Sequence, residues 1–204
     1  DAANAFVTDN LAGGSALTSL TIEAQAAIDG ATTDSDVTVG TITGSAITTL
    51  NVSADAGDVT VSTGGDSTLA ALTTLNVSTT TATENVDLAV GQTITAVNLQ
   101  TIDVTAVGGD VGIGLIGAAG DATSSIDLTS LTVTASGVAD VTIGNMFLGT
   151  ATAGFSSSLD TINLTAGTGN IVVGAVLATG AAVSSMDVTL GASAGASTIG
   201  AVTA

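Results

Sequence analysis

Apolar and polar residues alternate through a short phrase that returns along the chain. It reads Leu17-Thr-Ser-Leu20-Thr-Ile22, then Ile47-Thr-Thr-Leu50-Asn-Val52, Leu72-Thr-Thr-Leu75-Asn-Val77 and Leu99-Gln-Thr-Ile102-Asp-Val104. It continues as Leu128-Thr-Ser-Leu131-Thr-Val133, Leu159-Asp-Thr-Ile162-Asn-Leu164 and Val183-Ser-Ser-Met186-Asp-Val188. A second phrase follows each copy, as in Asp36-Val37-Thr-Val39-Gly40-Thr-Ile42, Asp58-Val59-Thr-Val61 and Asp110-Val111-Gly-Ile113-Gly114-Leu-Ile116. Later copies are Asp140-Val141-Thr-Ile143-Gly144-Asn-Met146, Asn170-Ile171-Val-Val173-Gly174-Ala-Val176 and Ile199-Gly200-Ala-Val202, with Val86-Asp-Leu88-Ala-Val90 a weaker one. Alternation with period two, rich in Val, Ile and Thr, predicts strands with one buried face. Gly, Asp, Asn and Ser cluster between the strands, as turns require. No stretch sustains a helical period, although Ala2 to Val7 and Glu23 to Ile28 each have room for a short helical turn.

The central apolar residue of the first phrase falls at 20, 50, 75, 102, 131, 162 and 186, so the repeat is 24–31 residues long. A repeat of this length cannot bury its apolar stripe alone, so successive repeats must stack and share a core. The predicted fold is therefore all-β, a parallel β-solenoid of about seven coils. At a strand spacing of about 4.8 Å, the rod is on the order of 30 Å long. Residues 1–16 read as an irregular lead-in or the end of a preceding unit, and residues 17–204 as the solenoid. The pattern runs to Ile199–Val202 with no closing turn, so continuation beyond one or both termini is expected.

Composition narrows the function. The chain has 18 carboxylates and no Lys, Arg, His, Pro, Cys, Trp or Tyr, giving a formal charge of −18. Without His or Cys there is no Ser-His-Asp triad, thiolate nucleophile or ordinary zinc site. Without Lys or Arg there is no Schiff base, phosphate-loop lysine or guanidinium clamp. Nucleic acid and anionic membrane surfaces are repelled. The mean hydropathy of +0.66 comes from the aliphatic core. The most apolar stretch, Ile171 to Val183, is shorter than the roughly 20 residues of a spanning helix. Only Phe6, Phe147 and Phe155 are aromatic, too few for the girdles of a membrane barrel.

Three groups of residues are candidate sites. The acidic turn column Asp36, Asp58, Asp110 and Asp140, with Asn170 in the same place, precedes the strands of the second phrase. Stacking would crowd these side chains, and either each caps its own turn or a cation such as Ca²⁺, which takes oxygen ligands, bridges them. The outward face of the first phrase carries rows of short polar groups. One runs Ser19, Thr49, Thr74, Thr101, Ser130, Thr161, Ser185, and the next Thr21, Asn51, Asn76, Asp103, Thr132, Asn163, Asp187. The third runs Glu23, Ser53, Ser78, Thr105, Thr134, Thr165, Thr189. Such a face is a solvated surface, a lateral contact or an organiser of water. A carboxylate pair acting on a polysaccharide is the third candidate, but no Trp or Tyr is present to stack on sugar.

The stretches Ile47–Gly64, Leu128–Gly144 and Leu159–Gly174 resemble repeats of bacterial surface-layer proteins and of giant RTX-type adhesins. The resemblance covers nearly the whole chain through composition and rhythm. It implies a calcium-dependent solenoid that tiles or decorates a cell surface. The family's Gly- and Asp-rich calcium nonapeptide is present only as fragments: Gly64-Gly65-Asp66, Gly108-Gly109-Asp110 and Gly120-Asp121. The candidate Ca²⁺ ligands are accordingly Asp36, Asp58, Asp66, Asp110, Asp121 and Asp140. The expected role is that of an extracellular, self-assembling structural module and not an enzyme. Its partner is another copy of itself, with no nucleic acid and no membrane insertion. An ice-binding or ligand-binding adhesin domain is the alternative.

Overall fold

The computed structural model describes residues 6–25, 36–55, 57–61, 69–81, 84–94, 96, 98–117, 128–148, 161–178, 185–190 and 196–203. In chain order the strands are β1 (Phe6–Ala12), β2 (Ser19–Ala24), β3 (Val37–Thr43), β4 (Thr49–Ala54), β5 (Val59–Val61) and β6 (Thr74–Thr79). Then come β7 (Glu84–Ile94), β8 (Thr101–Ile116), β9 (Ser130–Ser136), β10 (Val141–Ile143), β11 (Met146–Leu148) and β12 (Thr161–Ala166). The last are β13 (Ile171–Val173), β14 (Val176–Ala178), β15 (Ser185–Leu190), β16 (Ser197–Ile199) and β17 (Val202–Thr203). Among the described residues there is no helix, and every strand pairing is parallel. The chain is a β-solenoid.

Two ladders make up the solenoid. The front sheet stacks β2, β4, β6, the first half of β8, β9, β12 and β15. The back sheet stacks β1, β3, β5, β7, the second half of β8, then β10 with β11, β13 with β14, and β16 with β17. Leu20, Leu50, Leu75, Ile102, Leu131, Ile162 and Met186 are in register along the front sheet, one on each of its rungs. The repeat length read from the sequence is therefore the length of one lap. The described residues make a solenoid of about four turns, against about seven coils expected from the sequence.

The register places like on like. Val52, Val77, Val104 and Val133 form one buried column of the front sheet, and Ala54, Ala106, Ala135 and Ala166 flank it. Val37, Val59, Val86, Val111, Val141 and Ile171 form the facing column of the back sheet. Ile47, Leu72, Leu99 and Leu128 close the core at the corner where the chain returns to the front. Slim side chains are required because the two sheets of each lap face one another directly. Burying each aliphatic side chain contributes roughly 1.5–3 kcal/mol. Thr79 takes an alanine's place in the front column and is the one buried polar side chain among the described residues. Its hydroxyl donates to the Glu84 carbonyl at 3.4 Å and accepts the Val107 N–H at 3.3 Å, so it is satisfied.

Two expectations are corrected. Phe6–Ala12, read as part of an irregular lead-in or the end of a preceding unit, is a regular strand in register with β3. Phe6 and Val7, and likewise Glu23 and Ala24, are strand residues rather than helical turns. The remainder of both proposed helical turns, apart from Gln25, lies outside the described residues. So do Asp66 and Asp121 among the candidate calcium ligands.

Candidate functional site: the two corner columns

Asp36, Asp58, Asp110 and Asp140 line up at the corner where the chain passes from front to back sheet. Asp36 Oδ1 accepts the backbone N–H of Asp58 at 3.0 Å, and Asp58 Oδ1 accepts that of Asn85 at 2.7 Å. Asn85 Oδ1 accepts the Asp110 N–H at 2.9 Å, and Asp110 Oδ1 accepts the Asp140 N–H at 2.8 Å. Asp140 Oδ1 accepts the Asn170 N–H at 2.6 Å, and Asn170 Oδ1 accepts the Ala196 N–H at 2.9 Å. Each side chain thus caps the turn of the following lap. Of the two readings offered by the sequence, capping of each residue's own turn or bridging by a cation, neither describes these bonds, which run from one lap to the next.

The geometry explains the residue choice. A corner N–H has left the sheet ladder and needs an acceptor. A short Asp or Asn side chain one lap below reaches it. The backbones approach closely here, which is why glycine often precedes the column. A Cβ on Gly109 would collide with the Glu84 carbonyl, and one on Gly169 with the Ala139 carbonyl.

In order, the column reads Asp36, Asp58, Asn85, Asp110, Asp140, Asn170, so no more than two carboxylates are adjacent. Asn85 was not recognised in the sequence because its strand carries the weaker copy of the second phrase. The signal was present all the same: Asn85 stands immediately before Val86, as Asn170 does before Ile171. Asp87 follows on the outward side of β7. Burial pushes its carboxyl pKa upward, and the charges of Asp58 and Asp110 push it the same way.

At the opposite corner, where the back sheet returns to the front, the polarity is reversed. The Thr18 carbonyl accepts the N–H of Thr48 at 2.8 Å, the N–H of Thr49 at 3.2 Å and the Thr48 hydroxyl at 3.0 Å. The Thr48 carbonyl takes the Thr73 N–H, the Thr74 N–H and the Thr73 hydroxyl, at 2.9, 3.0 and 3.0 Å. The Gln100 carbonyl takes the same three donors from Thr129 and Ser130. Here the side chain donates to the preceding lap, where the Asp and Asn side chains accept from the following one.

Between the corners lies the outward face of the front sheet, and its three rows are in the register expected from the sequence. Asn76 Nδ2 donates to Asn51 Oδ1 at 2.8 Å, and Asn51 Nδ2 to the Thr21 hydroxyl at 3.2 Å. These bonds hold the amides in line along the rod. Asp103 and Asp187 interrupt the row as exposed charges.

Among the described residues no three carboxylates gather closely enough to hold a metal. Ca²⁺ takes six to eight oxygens, whereas each column carboxylate already spends one oxygen on a backbone N–H. Comparison with protein-family models, with curated proteins and with solved structures finds no match.

Proposed function

We propose that this chain is a structural module of a bacterial surface layer, surface filament or adhesin, assembling with copies of itself at the cell exterior. The observation that carries the proposal is the pair of corner columns. They tie each lap to the next outside the sheets and spend the chemistry-bearing side chains on holding the rod together. Asp36, Asp58, Asn85, Asp110, Asp140 and Asn170 are aimed at the neighbouring lap rather than at a substrate. The absence of Lys, His, Cys and Arg from the sequence leaves few routes to catalysis. With neither Lys nor Arg, the rod also offers trypsin no cleavage site.

Calcium enters this reading as a bridge between molecules. With a charge of −18, copies repel until divalent cations screen or bridge their carboxylates. Electron microscopy and sedimentation of the purified chain, with Ca²⁺ added and then chelated, test this. Ordered sheets or fibres that dissolve on chelation are expected. Isolated rods under every condition would overturn the self-assembly reading, and assembly indifferent to chelation would overturn the calcium part.

A second reading rests on the in-register hydroxyl row Thr49, Thr74, Thr101, Ser130 and Thr161. At about 4.8 Å between laps, such a row can order water, as an ice-binding face does. Thermal hysteresis of the purified chain would put this reading first.

A further inference from the structure

We draw no further inference here: the strongest candidate, the edge of the back sheet at β16 and β17, where Ile199 and Val202 are 38% and 50% exposed in columns that Val173 and Val176 bury one lap earlier, is an unpartnered apolar surface, and nothing in the structure shows what covers it.

Discussion

The two corners of each lap solve the same problem with opposite chemistry. At the front-to-back corner, carboxylate and amide oxygens accept the N–H of the next lap, from Asp36 through Asn170. At the return corner, threonine hydroxyls join backbone N–H groups in donating to a carbonyl of the preceding lap. The first arrangement gives each N–H its partner through a side chain. The second adds a donor to a carbonyl that already has two. The Asp and Asn column should therefore matter to stability, and the threonine column should be closer to a refinement.

The largest effect should come from Asp110→Ala, which deprives the Asp140 N–H of its acceptor. A loss of about 1–2 kcal/mol is expected, near the lower end for hydrogen bonds to charged groups because the site is exposed. Thermal unfolding and amide hydrogen exchange at Asp140 measure it. Exchange should accelerate at that amide first, since solenoids lose structure locally. Asp110→Asn keeps an acceptor of the same shape, as the chain itself does at Asn85, and should cost no more than about 0.5 kcal/mol. If the asparagine variant were as unstable as the alanine variant, charge and not shape would set the column.

Thr73→Val removes one of three donors to the Thr48 carbonyl and should cost at most about 0.5 kcal/mol, independent of pH. A cost above that of Asp110→Ala would invert the comparison of the two corners. Asp87→Asn should act with the opposite sign. The folded-state pKa of Asp87 is raised, so the native state holds this proton to higher pH than the unfolded chain. Stability from this group is full below the unfolded pKa and is lost as pH rises through the folded one. At neutral pH the ionised carboxylate opposes folding. The variant should therefore melt higher than the parent at pH 7, and the gain should vanish as pH falls below the carboxylate range. A gain that persisted in acid would contradict the assigned cause.

The front sheet was legible in the sequence down to individual rows, because alternation fixes which side chains face outward and the phrase Leu-Thr-Thr-Leu-Asn-Val fixes the register. The acidic column was legible as a column but not in its bonding. Sequence shows that Asp36, Asp58, Asp110 and Asp140 recur before a strand; it does not show whether an oxygen reaches its own turn or the next lap. Thr18, Thr48, Thr73 and Thr129 escaped notice because they sit at a corner, where period-two alternation lapses and no rule separates inside from outside. The strand β1 was overlooked for a different reason: Phe6–Ala12 lacks the leading phrase, and only its pairing with β3 reveals it as a rung.

The account rests on laps that come back into register with the one before. The chain has no cysteine, so pairs of introduced thiols report proximity without interference. Asn51→Cys with Asn76→Cys joins two positions whose side chains touch, at 2.8 Å, across one lap. A short bifunctional thiol reagent should cross-link that pair rapidly within single molecules. Asn51→Cys with Asp103→Cys, two laps apart, should react far more slowly, and Asn51→Cys with Val77→Cys, on opposite faces of the sheet, hardly at all. Equal rates for the three pairs, or a faster reaction for either of the last two, would contradict the stacking of laps.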